Sequence, residues 1–349
     1  MSLVATRLLS ARAAYPSKMD RDELRMINFG LINAATRQNA SGNSILTAEG
    51  KQLLQQNWRV ANLQIPVMSR ASYTVSDGRS CNFSDLEANS AMLSPTYITK
   101  TTGFSMMPAK NFQNEVAYEQ EFRRLYEDAE RALALEVEQA IYAKLDADKN
   151  AVYSSSLVGT GNEYPLAGDA LQVSTALRDH FFNEYKAVAQ ADEFNGPYDV
   201  IGTSVLMADV NKFINQGAGN DENQAYQFNG YNFGFSNYVT TTSGARSTGF
   251  IMPEGTIVLE SRLSPEESQA SESMTGIKWD NTTSQLMGGL QVGIKYTSDC
   301  ADISATTGNA NDTSGLKEQW TMTVDFCLLT PYNSDDTTLA GSIHKFDIL

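Results

Sequence analysis

Asn114 to Lys149 reads NEVAYEQEFRRLYEDAERALALEVEQAIYAKLDADK, the strongest periodic signal in the chain. Tyr118, Phe122, Leu125, Tyr126, Ala129, Leu133, Val137, Ala140, Ile141 and Leu145 recur three or four apart. Glu119, Glu121, Arg123, Arg124, Glu127, Asp128, Glu130, Arg131, Glu136 and Glu138 fill the other faces, which read as solvated surface with no chemistry. No glycine or proline interrupts the run. The spacing predicts a single helix of roughly 50 Å at 1.5 Å per residue, about three times the common globular length. The apolar stripe drifts instead of keeping a strict heptad, which predicts a helix lying across a sheet and not a coiled coil.

On the amino-terminal side of this helix the chain is basic and then β-rich. Residues 1–37 carry Arg7, Arg12, Lys18, Arg21, Arg25 and Arg37 against Asp20, Asp22 and Glu23, a surplus of +3 in a chain whose net charge is −15. Asp20 can cap a helix carrying Leu24, Ile27 and Leu31, and Thr47 a second one carrying Leu53, Leu54 and Trp58, with a loop at Asn39 to Asn43 between them. Two small helices with basic ends do not make a domain, so they read as an arm that packs on something else. From Ile65 to about Lys110 β-branched, Ser, Thr and Tyr residues dominate, with turn signals at Asp77-Gly78, Ser94-Pro95 and Thr102-Gly103. The expectation is a long, mostly polar hairpin, whose ordering entropy a partner surface would have to offset.

On the carboxyl-terminal side helices and strands mix without alternation. Tyr153 to Asp169 is a Ser/Gly/Asn/Pro-rich linker, after which Leu171, Val173, Leu177, Phe181, Tyr185 and Val188 predict an amphipathic helix from about Ala170 to Gly196-Pro197. Tyr198 to Gly202 reads as a buried strand entering, at Ser204, a helix that stops at Gly217. Further strands are expected at Tyr231 to Thr240, Thr256 to Glu260, Leu290 to Tyr296, Gln319 to Leu329 and Ser342 to Ile348. Asp299 to Gly315 is a nearly low-complexity loop. The class is α+β.

Motifs that carry chemistry are missing from this sequence. His180 and His344 sit in no H-E-x-x-H frame and read as core or surface residues. Cys81, Cys300 and Cys327 are odd in number and far apart, which predicts idle thiols and no zinc or redox site. Gly217-Ala218-Gly219 is followed by Asn220, Asp221 and Glu222, where a pyrophosphate would be repelled. Asp146-Ala147-Asp148-Lys149-Asn150 starts like a calcium loop but has Ala151 and Leu157 where Gly and Glu are needed. No phosphate-cradling G-x-x-x-x-G-K-[ST] loop and no G-x-S-x-G elbow occurs. The expectation is no enzyme, no catalytic residue, no metal and no cofactor. The charge of −15 also argues against a nucleic-acid clamp. Met1 to Leu9 is a poor signal peptide, and no apolar run reaches the roughly 18 residues of a spanning helix.

This order of parts resembles the major capsid proteins of tailed bacteriophages, the HK-ninety-seven-like fold shared with encapsulins. Tyr198-Asp199-Val200-Ile201-Gly202 with its following helix is similar to the strand-helix unit opening that family's axial domain. Phe233-Gly234-Phe235-Ser236-Asn237 with Pro253-Glu254-Gly255-Thr256-Ile257-Val258 resembles the domain core, and Asp325-Phe326 onward to Ile343-His344-Lys345-Phe346 the terminal peripheral strands. The resemblance implies an N-terminal arm at 1–64, an extended loop at 65–112, a spine helix at 113–150, an axial domain at 165–300 and returning peripheral strands at 317–349. It implies a virion shell of hexamers and pentamers, assembled in the host cytoplasm, enclosing double-stranded DNA without sequence-specific binding and without a membrane. Many relatives carry a fused scaffold of about a hundred residues where only about 64 precede the loop here, so the resemblance implies a separate scaffold, or none; portal and decoration proteins are the other partners the family offers. An encapsulin-like compartment has the same layout. Arg7, Arg12, Arg21, Arg25, Arg70, Arg79 and Lys100 are the expected inter-subunit contacts. Some relatives crosslink through a loop lysine, a role for which Lys100 is the candidate.

Overall fold

A computed structural model describes residues 29–56, 65–68, 90–107, 115–210, 227–228, 230–270, 276–302, 310–311, 315–332 and 338–349. The expected long helix, α3 in chain order, runs Glu115–Ala147 over 33 residues. Before it come helices α1 (Gly30–Ala40) and α2 (Ala48–Gln56) and strands β1 (Ile65–Met68), β2 (Ser90–Leu93) and β3 (Tyr97–Met106). After it come β4 (Leu166–Ala167), β5 (Ala170–Val173), α4 (Phe181–Ala191), β6 (Tyr198–Thr203), β7 (Gln227–Phe228) and β8 (Tyr231–Ser236). The chain ends with β9 (Ser247–Pro253), β10 (Val258–Arg262), α5 (Pro265–Ser268), β11 (Lys278–Ser284), β12 (Leu290–Ala301), β13 (Gly315–Leu329) and β14 (His344–Ile348). Helix and sheet are mixed, as an α+β chain requires.

The stripe on α3 is buried in two stretches. Phe122, with Tyr118, Leu125 and Tyr126 beside it, packs on Phe104, Met106, Ile294, Tyr296 and Trp320. The Phe122 ring meets Trp320 edge-on, 4.8 Å between centroids. Farther along, Leu133, Ala134, Val137, Ile141 and Leu145 enter a larger core. That core takes Leu290, Val292, Met322, Val324 and Phe326 from one sheet and Ile201, Phe250 and Met252 from another. Each fully buried aliphatic side chain here stabilises by about 1.5–3 kcal/mol, so the helix is held along most of its length.

The first of these sheets has five strands. β13 carries β3 on one side, registered from Tyr97 opposite Cys327 to Met106 opposite Glu318. On its other side lie β12 and β10 end to end, and β11 pairs with β12. Alternation is clean on β13, where Trp320, Met322, Val324 and Phe326 face the helix and Gln319 is exposed on the other face. The second sheet has seven strands in the order β4-β5-β14-β9-β6-β8-β7, with β14–β5 and β6–β8 parallel. One of its faces shares the α3 core. The other packs on α4 through Phe181, Phe182, Tyr185 and Val188, against Phe346, Ile348, Leu171, Val173 and Val200.

Several sequence expectations change here. The helix expected from Ala170 starts only at Phe181, because Leu171 and Val173 are buried two apart, a strand period, and β5 pairs with β14. The strand His344–Ile348, expected with the terminal strands of the 317–349 piece, lies instead between β5 and β9 in the seven-stranded sheet. Conversely β10, β11 and β12, expected with the 165–300 piece, belong with β13 in the five-stranded sheet. Tyr97–Met106, expected in the projecting loop, is also a strand of that sheet. Chain order and spatial order part company because strand pairing is set by burial of both faces, not by proximity in sequence. β9 and β11 are strands where the sequence predicts loop.

Candidate assembly surface

α1 and α2 are not a free arm. Leu31, Ile32, Ala34 and Ala35 of α1 are buried in the α3 core, and Leu54 of α2 packs on Val258 and Cys327. Thr47 caps α2 as expected, its Oγ1 accepting from the Gly50 amide at 3.2 Å. Side-chain hydrogen bonds pin the rest. Gln38 Oε1 accepts from the Ile257 amide at 2.8 Å, and Asn39 Nδ2 donates to the Leu259 carbonyl at 3.1 Å and to Glu260 Oε1 at 2.7 Å. Arg37 forms an ion pair with the buried Asp199 of β6. These helices pack on their own body, which corrects the expectation that this segment works on another copy; Asp20 and Trp58 lie outside the described residues.

The anchor of α1 is Glu138, expected on a solvated face and found fully buried. Its two oxygens accept from the Leu31 and Ile32 amides, both at 2.9 Å, and Oε1 also accepts from Ser236 Oγ at 2.6 Å. The first amides of a helix have no partner within it, and a carboxylate set there satisfies them and the positive end of the helix dipole. Burial pushes the Glu138 carboxyl above its ordinary range, while the Ser236 hydroxyl and the two amides pull it back. The sequence held a signal for this: 138 falls on the apolar stripe, between Ala134 and Ile141, where an acid needs a reason.

The hairpin is present at its base. β1 and β2 pair antiparallel from Ile65 opposite Leu93 to Met68 opposite Ser90. Ile65 rests on the cluster of Leu54, Val258 and Cys327, whereas Met92 is 62% exposed, a high value for a large apolar side chain. Of the expected contact residues, Arg7, Arg12, Arg21, Arg25, Arg70 and Arg79 lie outside the described residues. Lys100 is on β3, and its Nζ meets Glu136 of α3 at 2.6 Å, both side chains about two-fifths exposed. A lysine so placed pairs within its own chain.

His344 is a core residue. Its Nδ1 accepts from the Tyr185 hydroxyl at 2.8 Å and its Nε2 donates to the Gly341 carbonyl at 3.0 Å, and burial pushes its pKa down to about 4. Cys327 is buried, its thiol pushed up to about 12 by burial and by the nearby Glu260, while Cys300 is exposed. Among the described residues no group of three His, Cys, Asp or Glu side chains could hold a metal, and no helix is long and apolar enough to cross a membrane.

Comparison with known proteins adds structures but no relatives by sequence. No protein-family model matches the chain, and no curated protein does. Solved structures do. One from Mycobacterium phage Che8 is 11% identical, covers 86% of this chain and 88% of its own, and has a TM-score of 0.45. One from Microbacterium phage Oxtober96 is 10% identical over 98% of each chain, with a TM-score of 0.47. A third, titled the Cyanophage Pam1 capsid asymmetric unit, is 10% identical over 82% of this chain and 84% of its own, with a TM-score of 0.46.

Proposed function

We propose that this chain is the major capsid protein of a tailed double-stranded DNA phage, a structural subunit whose copies form the hexamers and pentamers of an icosahedral shell around the genome. The observation that carries the reading is the spine: a 33-residue helix packed against two sheets, with a two-stranded hairpin that pairs with neither of them. A rigid body of that length with a separate strand pair is suited to reach a neighbour, and repeated modest contacts add up around a closed shell. The charge of −15 supports the same reading, because a carboxylate-rich wall does not hold DNA tightly and leaves it free to move. The arm–loop–spine–axial–peripheral division serves this reading with the strand assignments corrected above, and scaffolding, portal and decoration proteins are its expected partners.

Negative-stain microscopy of the expressed chain tests the proposal. Closed shells of uniform diameter are expected; a small oligomer by size exclusion at every concentration, with no shells, would overturn it. Nuclease-protected DNA inside shells taken from their natural source is the expected content. Shells holding a protein cargo and no DNA would replace the genome container with an encapsulin-like compartment.

A further inference from the structure

Three segments meet at the exit of α3, and a buried histidine stands between them. The chain leaving the helix is tied to the residues just before β14: the Asn150 amide donates to the Ile343 carbonyl at 2.7 Å, and Asn150 Oδ1 accepts from the Gly341 amide at 2.7 Å. A few residues on, the Ser154 amide donates at 2.6 Å to Oδ1 of Asp192, the residue that ends α4. His344 opens β14 in the middle of this junction, with the rings of Tyr153, Tyr185 and Phe194 5.0, 5.6 and 6.1 Å from its own.

The site is short of partners. Asp192 Oδ2 and the Tyr153 hydroxyl are buried without a hydrogen bond, and Oδ2 lies 3.8 Å from His344 Nε2, both side chains shut off from water. Buried polar atoms are nearly always paired, so two orphans beside one imidazole mark a cluster held closed at a cost. Among the described residues, the groups that face the ring are neutral or negative. They are Tyr185 and Asp192 from α4, the Gly341 carbonyl, and Tyr153 of the linker, near the exposed Asp169; Tyr198 and Tyr231 flank Tyr185. Lys345 is on the opposite face of the strand, paired with Asp146 of α3.

A second proton on the imidazole is poorly accommodated. Nδ1 already accepts from the Tyr185 hydroxyl, so a proton there forces the phenol to turn its own hydrogen elsewhere in a packed site. The imidazolium so formed is a buried cation, which needs a carboxylate beside it. Asp192 is the carboxylate at hand, and burial raises it above its ordinary range, so its charge fades as the pH falls.

We propose that His344 is an acid-operated latch: when it takes up a second proton, the junction between the exit of α3, the end of α4 and the start of β14 opens to water. The latch lies within one chain and does not depend on the shell reading above. Its sign follows from burial. With its pKa pushed down to about 4, the closed ring stays neutral where an open one is charged, so the latch weakens as pH falls from 6.5 toward 4. Opening rises by at most about tenfold per pH unit over that range, less what Asp192 gives back, since its raised carboxyl favours the closed site as it gains a proton.

Hydrogen exchange of the full-length chain, corrected for the pH dependence of intrinsic exchange, tests it. Peptides covering 150–157 and 339–346 are expected to lose protection by roughly tenfold between about pH 7 and pH 4.5, with β6 and β9 unchanged. In His344→Gln, which keeps a donor and an acceptor but takes no charge, the loss is expected to vanish or reverse. Equal protection at the two pH values, a loss shared by β6 and β9, or the same loss in the variant overturns the latch. The unmodified chain gives a second reading should the variant not fold. It has two histidines, of which His180 is exposed, so the His344 imidazole can be followed by NMR. A titration midpoint below about 5.5 is expected, and a higher one overturns the proposal.

Discussion

Leu31 and Ile32 each donate an amide hydrogen to Glu138, so one carboxylate ties the start of α1 to the middle of α3. With Glu138→Gln one oxygen still accepts, but the amide nitrogen faces a donor, leaving a buried N–H unpaired at a cost of about 1–3 kcal/mol. The pH dependence has a definite sign. Because burial raises the carboxyl's pKa in the folded protein, the folded state holds a proton that the unfolded state has released, and stability falls as pH rises from 4.5 through the raised value. The variant lacks this titration, so the gap between the two proteins, read from urea midpoints, is expected to be widest at low pH and narrower at neutral pH; a gap constant with pH contradicts the assignment. Gly255 is a second single-residue hinge of the fold. Its φ is +88°, and a Cβ there would lie 2.2 Å from the Asn43 carbonyl oxygen, at the point where the Ile45 amide donates to the Gly255 carbonyl. Gly255→Ala is expected to cost about 2 kcal/mol or more in chemical denaturation, and a neutral result would mean the two segments are not so close.

Among the elements, the hairpin can be separated from the body experimentally. Met68 and Ser90 are cross-strand partners, so residues 69–89 can be replaced by Asn-Gly, the dipeptide that closes a two-residue hairpin. Thermal unfolding is expected to stay within about 1 kcal/mol of the parent, because the buried contacts of β3 and α3 are untouched, while assembly by light scattering is lost. Normal shells from this variant would show that the hairpin does not join subunits. A deletion reaching 105 would be a poor test, since it removes most of a strand paired along its length with β13. Element type was legible where one period ran long: α3 is within two residues of its expected limits because its stripe repeats over nine turns. It was not legible for β5, where four residues, Ala170–Val173, fit either period until β14 lies beside them. Nor was it legible for the short α1, whose apolar side reads the same whether it faces its own body or a neighbour.

At the scale of the whole molecule, a charge of −15 on every copy opposes association. Salt shortens the reach of that repulsion, to about 10 Å at 0.1 M, so shell yield is expected to rise between about 0.05 and 0.3 M sodium chloride. A yield that falls over this range would show that attraction between unlike charges dominates the joints. The mixed class and the spine helix are legible in the local sequence, because periodicity is a local property of the chain. Packing set the rest. It moved His344–Ile348 into the seven-stranded sheet, brought Tyr97–Met106 and Val258–Arg262 together on β13, and turned Glu138 inward to the amides of α1. These depend on which surfaces meet across about sixty residues or more of chain, and hydrophobic burial, being non-directional, leaves no mark of its partner in the local pattern.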